Sequence, residues 1–281
     1  MEKTQEPDQQ LLYHYTDYIA LDGILNRQEL RVNNVLNMND TREMELFITG
    51  IFHALERRFL PEGDERIIQL LYQMMEKVRA LYFDYSVYAA CFSGYRDDAS
   101  QWERYGNRGK GVCLCFKKSV LEKMTGGAIA LRKVIYQTDM DSHPLVDHIY
   151  ELIKASEGKD NSAALREALH EAWRNCASFK HPSFLSEHET RLIVMPFEVS
   201  HFEIKPRYHI TNDRIKKYYP LDLKNMCRKA GVTLDDLIIE IMIGPESTQS
   251  APILKDYLQD LGLEKLSQNI SHSDCPLRSK Y

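Results

Sequence analysis

Short strand-like segments separated by long helical segments are the feature that most constrains the fold of this chain. Apolar or alternating residues predict strands at 10–16, 30–34, 86–93, 111–116, 129–136, 189–199, 202–210, 213–219, 236–244 and 265–271. Helical periodicity predicts helices at 18–26, 43–60, 65–83, 144–178 and 249–261, and Asp17 is placed to cap the first of them. These elements do not follow the regular strand–helix–strand order of a doubly wound parallel sheet. We therefore expect a mixed α+β fold.

The length and composition of the chain suit a single domain. Its 281 residues are 43% hydrophobic, and we expect residues 1–281 to form one domain with helical insertions at about 43–83 and 144–178. Six cysteines are present without a Cys-x-x-Cys pair, so no metal site is predicted. The first ten residues have no apolar core, and no run approaches the roughly 18 apolar residues of a membrane span. We expect a cytoplasmic protein with no membrane partner.

His14 is the first residue with unusual chemistry, because it lies between two tyrosines in the segment LLYHYT. Strand alternation puts His14 and Thr16 on one face of the strand, and Tyr13 and Tyr15 on the other. One interpretation is a core histidine with a hydrogen bond. The other is a binding group, because a histidine and a hydroxyl on one face can hold a ribose or an amide, and an aromatic ring can stack beside them.

The loop that follows the second predicted strand is rich in side-chain oxygens. Asn39 and Asp40 precede Glu43 and Glu45. Asp40 or Thr41 followed by a glutamate is an ordinary helix start, which explains these residues without a ligand. The spacing of a calcium-binding loop is absent, so a metal ion is not expected here.

Glycines and cations alternate in the loop before the strand at 111–116. Gly106, Gly109 and Gly111 flank Arg108 and Lys110. Glycines and cations together can cradle a phosphate, although the spacing of a P-loop is absent. The alternative is a simple turn into the strand.

Two aromatic residues precede this loop in a short helical segment. Trp102 and Tyr105 are three residues apart and therefore share a helix face. They either pack in the core or form one wall of a pocket.

A pair of carboxylates precedes a buried strand. Glu187 and Glu189 alternate along the chain, so in a strand they share one face. Their repulsion raises a pKa and costs stability unless Arg191 or Lys180 compensates. The alternatives are a solvated edge strand with alternating charge, or a site that stabilises an oxocarbenium-like transition state.

The segment 204–219 interleaves basic residues with Tyr208, His209, Tyr218 and Tyr219. Such interleaving can bind single-stranded nucleic acid, although an exposed hairpin has the same composition. The net charge of -5 argues against nucleic-acid binding as the only function.

Taken in order, these motifs resemble the bacterial domain-of-unknown-function 2971 family. The matching residues span nearly the whole chain: His14–Thr16, Asn39–Glu43, Cys91–Ser93, Trp102–Gly106, Lys110–Gly111, Lys180, Glu187–Arg191, Gly244–Pro245 and Ser273–Arg278. Thr41 stands where the family often has proline, which affects loop stiffness more than chemistry.

That family is itself similar to the ADP-ribosyltransferase superfamily. The resemblance implies a split, strongly bent, mixed or antiparallel sheet with helical insertions, which holds NAD as its substrate in the cleft. It implies that His14 anchors NAD, with Tyr15 and Thr16 beside it. Glu189 or Glu187 is then the catalytic carboxylate, which binds the ribose 2′-hydroxyl and promotes loss of nicotinamide.

The same resemblance implies roles for several further residues. Three residues are candidates for the aromatic ring that stacks near the nicotinamide: Trp102, Tyr105 and Tyr88. Cations such as Arg42, Arg108 or Lys110 bind the pyrophosphate, and Asn39 and Asp40 are further NAD-binding residues. The Ser-x-Ser motif of the arginine-anchored branch is absent.

We therefore expect an NAD-dependent enzyme that transfers ADP-ribose to a macromolecule, protein or nucleic acid, or hydrolyses NAD. By analogy with the superfamily, such a protein serves as a bacterial toxin or an anti-phage effector. The alternatives are a non-catalytic nucleic-acid-binding module that uses 204–219, or a catalytically inactive member of the family that acts as a scaffold.

Overall fold

The computed structural model describes residues 10–38, 43–63, 65–84, 86–155, 167, 171–198 and 202–277. The described strands are β1 Leu11–Thr16, β2 Glu29–Asn34, β3 Tyr88–Ser93, β4 Val112–Lys117, β5 Ile129–Lys133, β6 Ile135–Tyr136, β7 Phe179–Lys180, β8 Glu189–Val194, β9 Arg207–Ile210, β10 Ile215–Asp222, β11 Ile238–Ile243 and β12 Ile270–His272. The described helices are α1 Tyr18–Leu25, α2 Glu43–Phe59, α3 Glu65–Asp84, α4 Ala99–Arg104, α5 Lys118–Lys123, α6 Pro144–Ala155, α7 171–176, α8 Leu223–Ala230, α9 Leu234–Leu237, α10 Ala251–Asp260 and α11 Glu264–Ser267. The chain is mixed α+β, as expected.

Ten of the described strands form one mixed sheet. Eight strands follow the order β12-β11-β4-β1-β3-β2-β10-β9, while β8 pairs with β3 and β5 pairs with β8. The pairings are antiparallel except that of β11 with β12. A separate pair, β6 and β7, is parallel.

The sheet is split along one edge of β3. β8 pairs with β3 from Tyr88 to Ser93 and therefore occupies the other edge completely. On the split edge, β2 pairs only with Tyr88 and Ala89, and β1 pairs only with Ser93. Between these pairings, residues 90–92 face a gap where β1 and β2 diverge.

Two large apolar layers and one smaller cluster around Trp102 bury the two faces of the sheet. Phe92, Phe116 and Leu192 belong to the layer under α1, α8 and α10. Phe47 and Ile193 belong to the layer under α2, α6 and α7. Because consecutive side chains of β8 enter opposite layers, this strand is buried on both faces, and its charged residues lie in a largely apolar environment.

Capping aspartates fix the two short helices that follow the site strands. The Asp17 carboxylate accepts a hydrogen bond of 2.7 Å from the Ala20 amide at the start of α1. The Asp98 carboxylate accepts one of 2.9 Å from the Gln101 amide at the start of α4. Both caps stabilise the first turn at its unpaired amides, and the predicted cap at Asp17 is confirmed.

Several predicted strands are shorter than expected. The segment 189–199 is strand only to Val194, because Pro196 lacks an amide donor and begins a 3-10 turn. The segment 202–210 is strand only over Arg207–Ile210. The predicted strand near 265–271 is wrong in its first part, where α11 precedes the short β12.

Candidate functional site

A cavity of about 450 Å³ opens at the split in the sheet. Its lining comes from β1 and α1 on one side, from β2, β9 and β10 on the other, and from β3 between them. Lys180, Glu187, Glu189 and Arg191 close one end. The volume is within the range of pockets that hold small molecules and cofactors.

His14 reaches across the split. Its Nδ1 lies 2.9 Å from the carbonyl oxygen of Cys91 in the gap of β3. Burial lowers the pKa of His14, and the hydrogen bond to Cys91 opposes this only in part. The ring is therefore neutral at pH 7. Since a carbonyl can only accept, Nδ1 carries the proton and Nε2 keeps a lone pair.

The predicted division of β1 into two faces is confirmed. The His14 ring contacts Phe92 and Phe116, with ring centroids 5.6 and 6.4 Å away. Tyr13 and Tyr15 belong instead to the cluster on the opposite face. Thr16 lines the cavity together with His14.

Tyr15 has a structural environment although it also touches the cavity. Its hydroxyl donates to the Tyr95 carbonyl at 2.8 Å and accepts from the Asp98 amide at 3.1 Å. Its ring packs edge-on against Trp102 at 4.8 Å. These contacts use the hydroxyl to join β1 to the start of α4.

Lys180 is the centre of a buried ion cluster formed by Lys180, Glu187, Glu189 and Arg191. Its ammonium group lies 2.7 Å from Glu187 Oε2 and 3.2 Å from Glu189 Oε2. The lysine is only 4% exposed, so its charge depends on these two carboxylates. Lys180 therefore joins the two glutamates that the sequence singled out.

Arg191 holds Glu189 in a forked pair. Arg191 Nε and Nη2 donate to the two oxygens of Glu189 at 2.9 and 3.0 Å. Arg191 Nη1 donates to the Ala177 carbonyl at 2.8 Å. Arg191 is 0% exposed, and a bidentate pair of this kind is both strong and geometrically specific.

The ion cluster fixes the protonation state of Glu189. Burial alone would raise its pKa, but Arg191 and Lys180 outweigh burial and hold the pKa at about 2. The nearby Cys91 thiol also lowers the Glu189 pKa. The compensation by Arg191 and Lys180 that the sequence suggested is therefore present, and carboxylate repulsion does not raise the pKa of Glu189.

Glu187 is held in a different way. It ends the 3-10 turn Pro182–Glu187 and is followed by His188 in the left-handed conformation, with φ of 42°. Its Oε1 accepts from Arg104 at 2.9 Å and from Tyr105 at 3.1 Å. Strand alternation was thus the wrong reason for pairing it with Glu189, since the turn and the shared Lys180 bring them together.

The wall opposite His14 is basic. Arg31 of β2 and Lys216 and Lys217 of β10 line it, together with His209 of β9. Within the described ranges, neither lysine forms a salt bridge, and Arg31 lies over the Tyr218 ring at 5.1 Å. This wall favours an anionic group of a ligand.

Trp102 does not line the cavity. It is 0% exposed, and its indole nitrogen donates to Asp97 at 2.6 Å. Tyr105 does line the cavity, as one of the expected wall residues. Tyr88, the third aromatic candidate, is buried against Tyr219 with ring centroids 4.7 Å apart.

Arg108 and Lys110 are not brought to the cavity. Both are exposed and lie in a turn that packs against β1. A Cβ atom on Gly111 would lie 2.1 Å from the Thr16 carbonyl oxygen, so the glycine permits this close approach. The glycines here serve backbone packing, which was the alternative to a phosphate cradle.

Asn39 and Asp40, together with Arg42, lie outside the described residues. Sequence reasoning also missed Arg31, Arg104 and Lys217 as neighbours of the site. For Lys217 the available signal was the basic composition of 204–219, whereas no pattern marked Arg31 or Arg104.

Among the residues that the structure describes, no group of three or more His, Cys, Asp or Glu side chains could hold a metal ion. None of the described helices is both long and apolar enough to cross a membrane.

The fold and site define a mixed α+β protein with a cavity at a split in its sheet, which a buried ion cluster lines. Residues 101–192 match the family model described as a protein of unknown function (DUF2971). This segment includes Lys180, Glu187, Glu189 and Arg191, so the match covers the complete ion cluster. No curated protein and no solved structure matches this chain.

Proposed function

We propose that this protein binds NAD in the cavity at the split and cleaves the bond between nicotinamide and ribose. The ADP-ribosyl group passes to a macromolecule or to water. The observation that carries the proposal is the convergence of a neutral His14 and the carboxylates Glu187 and Glu189 on one cavity.

His14 suits the role of a ribose anchor. Its Nδ1 proton is committed to the Cys91 carbonyl, so Nε2 is an acceptor for a sugar hydroxyl. The hydroxyl of Thr16 on the same strand face offers a second polar contact. The fixed tautomer orients the ring before the ligand arrives, which reduces the cost of binding.

Glu187 is the better candidate for direct contact with the ribose. A carboxylate has about four acceptor positions, and Glu187 uses three, with Arg104, Tyr105 and Lys180. Arg191 donates to both oxygens of Glu189 and Lys180 donates to one of them, so neither oxygen can turn to a ligand without breaking the forked pair. Glu189 is therefore a positioning residue, which holds Lys180 and Arg191 beside Glu187.

The chemistry requires a carboxylate that remains ionised. When the bond from the ribose carbon to the nicotinamide nitrogen breaks, its electron pair leaves with nicotinamide and the ribose becomes oxocarbenium-like. A carboxylate that accepts from the 2′-hydroxyl stabilises this positive charge. The attacking oxygen or nitrogen then forms a bond to the same carbon and loses its proton.

The basic wall suits the other half of the ligand. The pyrophosphate of NAD carries two negative charges, and Arg31, Lys216 and Lys217 line the side of the cavity opposite His14. Partly buried cations interact with phosphate more strongly than fully solvated ones.

The test is the release of free nicotinamide from NAD by the purified protein, with and without added RNA, DNA or cell extract. The Glu187→Gln variant should be slower by about 10²-fold or more, the scale of a positioned carboxylate in such reactions. Glu103→Gln is the matched control, because Glu103 is exposed on α4 and does not line the cavity. It should retain full activity.

Failure of the wild-type protein to release nicotinamide with any of these additives would contradict the proposal. Full activity of the Glu187→Gln variant would contradict the role assigned to that carboxylate.

A further inference from the structure

The hairpin formed by β9 and β10, here called the basic hairpin, lies at one end of the sheet order. All four residues of β9 are exposed. Among the described strands, β9 pairs only with β10, so its outer edge is accessible. A surface of this kind is available to a partner without rearrangement of the core.

The charge of this region opposes that of the whole chain. Residues 204–224 contain six Lys or Arg residues and two Asp residues, whereas the chain carries a net charge of -5. Arg207 is paired with Glu29 and Arg214 with Asp213. Within the part of the chain that the structure describes, Lys205, Lys216 and Lys217 have no salt-bridge partner, so their charges remain available to a ligand.

The basic hairpin also exposes large apolar side chains. Tyr208, Ile210 and Ile215 are 64%, 73% and 65% exposed. Tyr208 pairs directly with Lys217 across the two strands, so an aromatic ring and an ammonium group lie side by side on one face. This combination suits a base that stacks while its phosphate meets a cation.

The cations continue from the basic hairpin in two directions. Lys216 and Lys217 line the cavity at the split. On the other side, a groove of about 690 Å³ is lined by Arg27, Lys205, Arg207 and Lys224. The groove and the cavity share Glu29, which pairs with Arg207, so the two openings adjoin.

We propose that the basic hairpin and this groove bind single-stranded nucleic acid. The phosphates lie along the lysines and Arg207, and an unpaired base stacks on Tyr208. The strand thereby passes the mouth of the cavity. Single strands are favoured over duplexes because only unpaired bases present a free face to the tyrosine. This binding does not depend on cleavage of NAD.

The experiment is fluorescence anisotropy with labelled RNA and DNA of one sequence, about 16 nucleotides long, which covers a typical single-strand site. The double variant Lys216→Ala/Lys217→Ala should bind at least about tenfold more weakly. For this variant, the slope of log K against the logarithm of the salt concentration should be shallower by about 1.4, because two phosphate contacts are lost. Tyr208→Ala should weaken binding by about tenfold while leaving the salt slope unchanged.

The matched control is Lys123→Ala/Lys255→Ala, which removes the same charge from α5 and α10, away from both cavities. It should bind like the wild type. Weaker binding of RNA or of DNA by the hairpin variants supports the proposal. Thermal melting should show that all variants are folded.

Three results would overturn it. These are no binding of either single strand, equal weakening in the control variant, and equally tight binding of a duplex or of polyglutamate. The last would mean that the surface attracts any polyanion.

Discussion

The Nδ1 atom of His14 lies 2.9 Å from the carbonyl oxygen of Cys91, across the gap where β1 and β2 separate on β3. This side-chain bond gives the Cys91 carbonyl a partner on the edge of β3 where neither β1 nor β2 pairs with residue 91. It also fixes the tautomer that leaves Nε2 available. The same residue, Cys91, places its thiol beside Glu189, so the two halves of the candidate site meet at one position of β3.

His14→Asn should separate binding from folding. The amide nitrogen of asparagine stands near the position of Nδ1 and can donate to the Cys91 carbonyl, but no atom replaces Nε2. We expect NAD affinity to fall at least about tenfold, because the hydrogen bond that Nε2 accepts from the ligand is lost. The thermal midpoint should change by only a few degrees.

His14→Leu is the comparison for this experiment, because it removes both nitrogens. It should lose binding and also destabilise the protein, since the Cys91 carbonyl would be left without its partner. Equal stability of the two variants would contradict the role of the Cys91 bond.

Glu189→Gln and Glu187→Gln should differ in stability. Neutralising Glu189 leaves Arg191, which is 0% exposed, without its forked partner and should cost about 3–5 kcal/mol. Neutralising Glu187 should cost about 1–2 kcal/mol, because Lys180 keeps Glu189 and the half-exposed Arg104 can turn to water. Urea denaturation measures both values. A larger loss for Glu187→Gln would reverse the roles assigned to the pair.

Acid should destabilise the protein through Glu189. Its pKa of about 2 in the folded protein lies below the usual value of 4.5, so the unfolded chain binds the proton more readily. The stabilisation is fully present above about pH 4.5 and is lost as the pH falls towards 2, with a total of about 3 kcal/mol. The measurement is the free energy of unfolding against pH, and the slope in this window should be smaller in Glu189→Gln.

His14 should cause a second loss of stability in acid, which begins at a higher pH than the loss caused by Glu189. Burial lowers its pKa in the folded protein below the usual 6.5, so stability decreases as the pH falls below about 6.5. The His14→Asn variant should lack this decrease. If its profile of stability against pH equalled that of the wild type, the ring would not be held neutral.

Arg108→Ala/Lys110→Ala should leave nicotinamide release unchanged within about twofold. Both side chains are exposed and neither lines the cavity. Lys216→Ala/Lys217→Ala, with the same loss of charge, should weaken NAD binding. If the loop variant lost activity and the hairpin variant kept it, the phosphate contacts would have to be reassigned to the glycine loop.

The local structure of the site was largely predictable from the sequence. The alternation of LLYHYT predicted the two faces of β1, and Asp17 predicted the start of α1, because both depend on residues close in the chain. The link between Glu187 and Glu189 was also predictable, although its cause is the turn at His188 and the shared Lys180 rather than a strand.

Contacts between distant segments were not predictable in this way. Nothing in the sequence of β10 indicates that Lys216 faces the same cavity as His14, since this follows from the order of strands in the sheet. Trp102 is a second case, for which the sequence left core packing and a pocket wall open. An aromatic residue beside a polar loop suits a stacking wall, but its bond to Asp97 places it in the core.

The cavity at the split is the proposed NAD site. The most direct measurement is calorimetric titration of the intact protein with a carba analogue of NAD, which cannot lose nicotinamide. We expect one molecule to bind per chain, with clearly weaker binding by folded His14→Asn and unchanged binding by Glu103→Gln. No binding to the wild-type protein, or equal binding by the His14 variant, would contradict the claim.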